Sequence, residues 1–415
     1  MDNSPLHQTK PAFSIFLLCA GLSLFSFTVS AGITVTLTDL IIVFSIIYSF
    51  IINRSYQLSP VLIAMTFFAI ASFLSGFFNT INDHTFFTGN FLANYFRVLG
   101  ILGMILFFPP LQNKIGHDRL ALGTLWTLRI HAMLIFADAF LVNPINWEGS
   151  SMVLAKSGND FNRPRGLFIE PSFYGIYAGI SLLYILQIER NMNIRLFKLW
   201  DIILLSLSMI ASTSASAIGL LILFLYEIFR KYGRISPGKI ILSLSTLALV
   251  VIILSSRFQQ STWTGLNVKY VIEKVGSLRY GLQNENIRVR ILGGWIFAGK
   301  IIEDYPLFGV GLGGENQNRI LRRMGEFHEG NVASEQIAYG PGSVMPISVI
   351  IFTGLIGLIP YLYTFFWVIK SSSSRIIGKG LIAICFMWGN AFAPIIWWYV
   401  CLGISINYDK EVFKV

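Results

Sequence analysis

The sequence predicts an all-α fold, namely a polytopic helical bundle that crosses a membrane with about 11 or 12 helices. Three observations predict this class. Hydrophobic residues make up 54% of the 415 positions and charged residues only 13%, about half the share usual in a soluble domain. The apolar residues fall in runs of about 20, the length that crosses a bilayer as a helix. Lysine and arginine gather on one side of these runs.

The apolar runs fix the predicted order of helices. The run 199–230 is too long for one span and contains a polar break at 212–216, so it predicts two helices joined by a tight turn. The final run, 377–407, is interrupted at 389–394 and predicts a short helical hairpin. Single spans are predicted at 12–31, 34–53, 60–79, 91–111, 120–143, 167–187, 238–256 and 343–369.

The first span resembles a secretory signal, because Val29-Ser30-Ala31 is similar to a cleavage site. Its apolar run is long for the core of a signal peptide. We therefore interpret it as a retained helix.

The basic residues predict the orientation. With the N-terminus in the cytoplasm, the inside segments carry 16 of the 31 lysines and arginines, and the short outside turns carry none. Arg97 and Arg129 lie inside spans, and the other 13 lie in two long outside loops, 144–166 and 257–342. Long loops are translocated regardless of charge, so they agree with this topology.

The composition also excludes some functions. The net charge of +10 is scattered over loops between apolar runs, which is typical of membrane topology and argues against nucleic-acid binding. Cys19, Cys385 and Cys401 lie in apolar stretches and form neither a disulfide framework nor a metal-ligand spacing. No metal and no cofactor are predicted.

The first outside loop ends with two arginines and a glutamate. Arg163 and Arg165 precede the span at 167, and Glu170 lies just inside it. An ionised glutamate in hydrocarbon is costly unless it faces a wet cavity or a cation. The group is therefore either part of a functional cavity or an ion pair that anchors the helix end.

The second outside loop has three parts. Residues 265–303 alternate apolar and basic positions, which predicts amphipathic helices on the bilayer surface. A glycine-rich turn follows at 305–314, and a polar segment at 315–342 ends the loop. Arginine matches phosphate oxygens with two hydrogen bonds, so the loops predict a phosphate site, with attraction to anionic lipid headgroups as the alternative. The arginines of both loops that carry this prediction are 163, 165, 288, 290, 319, 322 and 323.

With these features in place, the sequence resembles the O-antigen polymerase and ligase family, over residues 160–360. The similarity is strongest at Arg288-x-Arg290, Trp295 and the segment Tyr305-Pro306-x-x-Gly309-Val310-Gly311-x-Gly313. It also includes Arg165-Gly166-x-x-x-Glu170-Pro171-Ser172, the serines at 212–216, Arg288 with Gly299 eleven positions later, and Phe352-Thr353-Gly354 with Gly357.

The resemblance implies a metal-independent, inverting glycosyltransferase of the bacterial inner membrane, with both large loops in the periplasm. It would polymerise oligosaccharide repeat units that are linked to undecaprenyl diphosphate. Membrane lipid surrounds it, and whether a chain-length regulator is a further partner stays open. Arginines would stabilise the diphosphate leaving group, and Glu170 or His328 would be the general base. The expected catalytic residues are Glu170, His328, Arg165 and Arg288; the expected substrate-binding residues are Arg97, Arg163, Arg290, Arg319, Arg322 and Arg323.

This sequence departs from the family pattern at two places. The serine break contains no arginine, and residues 340–343 lack the His-Asn pair that many members have there. His328 either takes that role or is a surface histidine. The missing pair counts modestly against a ligase, which would transfer finished polymer to an acceptor.

Two further expectations concern other functions and other charges. A transporter or flippase would show inverted repeats, and the sequence has no internal repeat. Arg97, about two turns from the outer end of its span, is expected to line the cavity for the lipid diphosphate. Arg129 is expected to form an internal polar contact with His131 and Asp138, and Asp201 to lie at the cytoplasmic interface.

The predicted topology can be tested by labelling. Ser150→Cys and Gln317→Cys, each in a cysteine-free background, should react with a membrane-impermeant thiol reagent in intact spheroplasts, because both loops are predicted to face outwards. Protection of both positions until the cells are lysed would contradict the alternation of spans.

Overall fold

The computed structural model describes residues 13–23, 28–30, 34–53, 56–83, 89–140, 167–168, 171–212, 214–232, 294–312, 344–387 and 391–412. Apart from one small two-stranded sheet, the elements in these ranges are helical. The predicted span at 238–256 lies outside the described residues, as does most of both predicted outside loops.

The elements follow one another in this order. The first part contains α1 (Phe13–Ser23), β1 (Thr28–Ser30), β2 (Thr34–Thr36), α2 (Leu37–Tyr48), a π-helix (Ser49–Asn53), α3 (Pro60–Asp83), α4 (Gly89–Ile115) and α5 (His117–Phe140). The second part contains α6 (Pro171–Met192), α7 (Leu199–Ala211), α8 (Ala215–Tyr232), α9 (Gly294–Asp304), α10 (Met345–Lys370), α11 (Arg375–Met387) and α12 (Pro394–Val412).

Four of the described helices contain stretches long and apolar enough to cross a membrane. These stretches are Pro60–Phe78 in α3, Asn94–Ile115 in α4, His117–Ala137 in α5 and Met345–Lys370, which is all of α10. Each was predicted as a span from its apolar run, and the helical class agrees with a membrane protein.

The prediction at the N-terminus is wrong in extent. Within the described residues of the expected span at 12–31, the helix runs from Phe13 to Ser23, and 11 residues cover about 16 Å, which is less than the hydrocarbon thickness. Residues 28–30 and 34–36 pair as strands instead, so α2 begins at Leu37 rather than at 34. Threonine and valine occupy five of the six strand positions, and β-branched side chains favour extended backbone.

Both predicted interruptions are confirmed. α7 ends at Ala211 and α8 begins at Ala215, so the run 199–230 is two helices. α11 ends at Met387 and α12 begins at Pro394, where proline suits the first turn of a helix.

The chain divides into two compact units, and the first contains α1, α5, α6, α7 and α8. Its centre is α6, whose residues 174–189 are all buried and which packs on α5, α7 and α8. α6 and α8 run in parallel, because Gly175 lies against Ala217 and Glu189 is bonded to Lys231, both pairs 42 positions apart. A small residue at 175 lets the two backbones approach closely.

Glu189 connects α6 with α8 and with the segment after α6, at the predicted cytoplasmic end of this unit. Its carboxylate is fully buried and accepts hydrogen bonds from the backbone N–H groups of Leu196 (2.6 Å) and Phe197 (2.7 Å) and from Lys231 Nζ (2.8 Å). Asn193, with a φ of +52°, reverses the chain directly after α6 and leads the backbone back towards the carboxylate. The buried charge is therefore paired and hydrogen-bonded, as a buried charge must be.

The second unit is built around α10, which packs on α3, α9, α11 and α12. α4 belongs to this unit as far as Asn113 and contains Pro109 and Pro110. Pro110 has no N–H for the Leu106 carbonyl, and that carbonyl accepts from the Gln57 N–H instead (3.0 Å). The interruption of the helix ladder is thus compensated inside the unit.

Glu189→Gln should destabilise the protein. The change breaks a buried ion pair and leaves Lys231 without its carboxylate, which typically costs about 3 kcal/mol or more. Thermal unfolding of the purified protein in detergent should show a clearly lowered midpoint. Glu303→Gln, on the exposed side of α9, is the matched control and should change the midpoint little. Equal midpoints for the two variants would show that the Glu189 contacts do not support this unit.

Candidate functional site

Arg97 is the one predicted site residue that falls within the described ranges. It lies on α4, eight residues after the helix begins, and is partly buried. Its Nη1 donates a hydrogen bond to Asn94 Oδ1 (3.3 Å), one helical turn earlier. The other predicted residues, Arg163, Arg165, Glu170, Arg288, Arg290, Arg319, Arg322, Arg323 and His328, lie outside the described residues and stay predictions.

α10 is interrupted in its middle. Gly354 has a φ of +62° and a ψ of −160°, so the helix divides there into two segments. In a continuous helix the Leu355 and Ile356 N–H groups would bond to the Ile351 and Phe352 carbonyls. The interruption separates these donors from their acceptors, and all four groups need other partners in an apolar surrounding.

The glycine-rich turn after α9 provides these partners. The N–H groups of Val310 and Gly311 donate to the Ile351 and Phe352 carbonyls, at 2.8 and 3.0 Å. In return, the Leu355 and Ile356 N–H groups donate to the carbonyls of residues 306 and 307, at 3.0 and 3.3 Å. Residues 306–311 are therefore inserted between the two segments of α10 and replace two of its own hydrogen bonds. We refer to residues 306–311 as the docked turn.

Two glycines make this close approach possible. Gly309 has a φ of +60°, and a Cβ there would lie 2.5 Å from the Ile351 carbonyl oxygen. A Cβ on Gly354 would lie 2.4 Å from the Leu307 carbonyl oxygen. A side chain is unfavourable at both positions for two reasons: the positive φ suits only glycine, and a Cβ would clash with a backbone oxygen. The sequence interpretation of 305–314 as a tight turn is confirmed over its described part.

Side chains from α3, α4 and α9 hold the docked turn and the interruption. Ser75 on α3 donates to the Phe352 carbonyl (2.8 Å), and the Phe78 ring lies 4.8 Å from the ring of Phe308. On α4, Asn94 Nδ2 donates to the Leu312 carbonyl (2.8 Å), directly after the turn. From α9, Ala298 and Ile301 pack with Val310, Val344, Ile347, Ile350 and Ile351 in one buried cluster.

Of the segment 265–303, which is predicted to form surface helices in the second loop, the structure describes only residues 294–303. α9 covers 294–304, buries Ala298 and Ile301, and leaves Trp295 and Glu303 exposed. This two-sided pattern agrees with the predicted amphipathic character. The buried side of α9 supports the docked turn, because Ala298 and Ile301 pack with Val310.

The arrangement gives Arg97 a specific neighbourhood. Asn94 contacts both the guanidinium of Arg97 and the carbonyl that follows the docked turn. The cation in α4 is thereby connected to the segment of strongest family resemblance. A guanidinium donates in a planar fork that fits phosphate or carboxylate oxygens, so the chemistry that this position offers is the binding of an anionic group.

Arg129 has a different role. As predicted, it forms an internal polar contact, but its partner is Asp201, through Nε at 2.7 Å and Nη2 at 2.9 Å. Asp201, which was expected at the cytoplasmic interface, lies in the first turn of α7, and its carboxylate is almost fully buried in this pair. His131 bonds to Ser23 Oγ (2.7 Å), and the side chain of Asp138 lies outside the described residues. This bidentate salt bridge gives Arg129 a structural role within the first unit.

Sequence reasoning missed Asn94, Ser75 and the interruption at Gly354. Gly354 appeared only as part of a family pattern, and the left-handed φ that requires glycine there has no local signal. Asn94 could have been found, because a polar residue three positions before an arginine in an apolar run lies on the same helix face.

No protein-family model matches the chain, and no curated protein matches it. The functional argument therefore depends on the residues themselves.

Gly354→Ala should disrupt the docked turn. The added Cβ would meet the Leu307 carbonyl and would strain a backbone that only glycine adopts easily, at a cost of a few kcal/mol. The unfolding midpoint should fall and activity should be lost. Gly299→Ala on α9 is the control, because a Cβ there meets nothing within 4 Å. A Gly354→Ala protein as stable as Gly299→Ala would contradict the docking of the turn.

Proposed function

We propose that this protein is a multi-pass enzyme of the bacterial inner membrane that polymerises oligosaccharide repeat units carried on undecaprenyl diphosphate. The single observation that carries the proposal is the connection of Arg97, through Asn94, to the end of the docked turn. The docked turn belongs to the segment of strongest family resemblance. An arginine beside it supports an anionic substrate that approaches from the membrane.

The topology proposed with this function has about 11 or 12 spans and two periplasmic loops. Four apolar helices of sufficient length support the membrane location. The distribution of lysine and arginine supports a periplasmic position for the residues that follow the docked turn. The substrate diphosphate would then be bound at the outer face, where flipped lipid-linked sugars are presented.

The proposed reaction is a glycosyl transfer. A hydroxyl of the acceptor repeat unit attacks the anomeric carbon of the growing chain, and the bond from that carbon to the diphosphate oxygen breaks. Undecaprenyl diphosphate leaves with the electron pair, and the hydroxyl proton passes to the general base. One attack of this kind inverts the anomeric carbon.

The leaving group determines which residues the reaction needs. Negative charge accumulates on the diphosphate as the bond breaks, and fixed cations lower the barrier most when they lie in a site with little water. We assign this role to Arg165 and Arg288, with Arg97, Arg163, Arg290, Arg319, Arg322 and Arg323 binding the substrate. Glu170 is the first candidate for the base and His328 the second.

Loss of the protein distinguishes the functions that such a membrane protein could have. A strain without the polymerase should retain single repeat units on the lipid carrier and make no long polymer. A strain without a ligase would accumulate long polymer on the carrier, and a strain without a flippase would retain single units on the cytoplasmic side. The measurement separates the lipid-linked saccharides by size and determines on which side of the inner membrane they lie. Either of the last two outcomes would refute the polymerase proposal.

Within the enzyme, Glu170→Gln should remove most of the polymer, because a general base typically contributes about 10²- to 10⁴-fold to the rate. The substitution preserves shape and removes the acid–base function. Glu303→Gln, on exposed α9, is the matched control and should leave polymer length unchanged. If His328→Ala removes most of the polymer and Glu170→Gln removes only a little, His328 is the general base and Glu170 is not. Normal polymer in the double variant would remove both residues from the mechanism.

A further inference from the structure

Tyr361 connects the two segments of α10 at a place far from their junction at Gly354. Its hydroxyl oxygen lies 3.3 Å from the sulfur of Met345, the first residue of α10. The two residues are 16 positions apart, and a continuous helix of that length would separate them by about 24 Å. Two such side chains, even when fully extended, join Cα atoms no more than about 14 Å apart. α10 is therefore folded at Gly354.

The fold is a sharp one. The first segment covers residues 345–353, about 13 Å, and Tyr361 lies about 10 Å along the second segment, residues 355–370. With these lengths, the two side chains meet only if the segments enclose roughly a right angle or less. The φ of +62° and ψ of −160° at Gly354 provide this change of direction within one residue.

The surroundings of the two segments differ. Every residue from 344 to 351 is buried, so the first segment is enclosed by protein, and α9 and Val310 of the docked turn pack against it. Exposed apolar side chains suit contact with lipid. Along α10 they lie only on the second segment, at Leu355, Ile356, Ile359, Leu362, Tyr363 and Phe366.

α3 gives the level of the fold within the second unit. Ser75 donates to the Phe352 carbonyl, and the ring of Phe68 lies 5.8 Å from the ring of Tyr361. The second segment thus runs antiparallel to α3, whose apolar stretch is Pro60–Phe78. The fold therefore lies near one end of this stretch, and the contact between the two segments of α10 lies near its middle.

The connection between α11 and α12 reaches the same level. The Ala391 carbonyl accepts from Trp397 Nε1 at 3.0 Å and lies 3.4 Å from the hydroxyl oxygen of Tyr361. The ring of Phe392 lies 6.1 Å from the ring of Phe68. Through Tyr361, the beginning of α10 and the chain just before α12 are thus neighbours in the interior of the unit.

We propose that α10 crosses the membrane only with its second segment, and that the first segment is a re-entrant helix, which folds back into the second unit without crossing. Its enclosure by protein is what an interrupted backbone in a membrane requires. The second segment is about 24 Å long, and a bilayer adapts to such a short span by local thinning. Since the Ile351 and Phe352 carbonyls belong to the first segment, the re-entrant helix anchors the docked turn. The inference goes beyond the proposed function and does not depend on the substrate.

The depth of spin labels in nanodiscs tests the proposal at exposed positions. Single cysteines in a cysteine-free background are labelled, and their collisions with oxygen and with a water-soluble nickel complex give the depth of each label. The variants are Leu355→Cys, Ile359→Cys, Leu362→Cys and Phe366→Cys. The deepest label should be at Leu362, near the middle of 355–370, with the Leu355 label about 11 Å from the bilayer middle.

The matched control is the lipid-facing side of α3, a continuous helix. Labels at Ile63, Phe67, Ile70 and Phe77, all exposed, should be deepest between Phe67 and Ile70. If α10 were one span, its middle would lie near residue 357, and the Leu355 label would be only about 4 Å from the bilayer middle. A deepest α10 label between Leu355 and Ile359, with the expected α3 profile, would overturn the inference.

A cysteine pair tests the fold directly. Met345→Cys with Tyr361→Cys should be joined by a short bifunctional thiol reagent, and mass spectrometry of the linked peptides detects the product. Leu62→Cys with Phe78→Cys has the same separation in sequence on α3 and should not be joined. Failure of the α10 pair to exceed the α3 pair in folded protein would contradict the fold. The depth profile uses no buried position, so it decides the matter even where the buried pair does not fold.

Discussion

The second unit depends on one constraint, which is that every backbone N–H and carbonyl in an apolar surrounding needs a partner. α10 departs from the regular helix pattern at Gly354, where two helical hydrogen bonds are missing, and the docked turn supplies four hydrogen bonds to the four backbone groups concerned. From this exchange follow the glycines at 309 and 354, the buried face of α9 and the position of Leu312. The interruption of α10 is thus a place where a loop segment reaches into the body of the unit.

Two ion pairs connect helices of the first unit. In the first unit Glu189 is bonded to Lys231, and Arg129 to Asp201, so each charge is paired with its opposite. These pairs connect helices and stabilise the unit. In the second unit Arg97 is oriented by the neutral amide of Asn94.

Much of the helix order was predictable, because long apolar runs and polar breaks are local properties of the sequence. The division of 199–230 into α7 and α8 is an example. The strands Thr28–Ser30 and Thr34–Thr36 were missed, because an apolar run was extended over β-branched residues. The interruption of α10 was missed because its hydrogen-bond partners lie more than 40 positions earlier in the chain. For the site, the role of Arg97 as a cavity cation stays a prediction, while the contact of Asn94 with Leu312 depends on tertiary structure that no local pattern reveals.

The central claim is that Arg97, which Asn94 connects to the residue after the docked turn, binds a lipid diphosphate. The most direct measurement is an experimental structure of the protein in nanodiscs with undecaprenyl diphosphate bound. The account predicts diphosphate oxygens within hydrogen-bond distance of the Arg97 guanidinium, with Asn94 still bridging Arg97 and Leu312. A diphosphate bound away from Arg97, with the Asn94 bridge unchanged, would contradict the account.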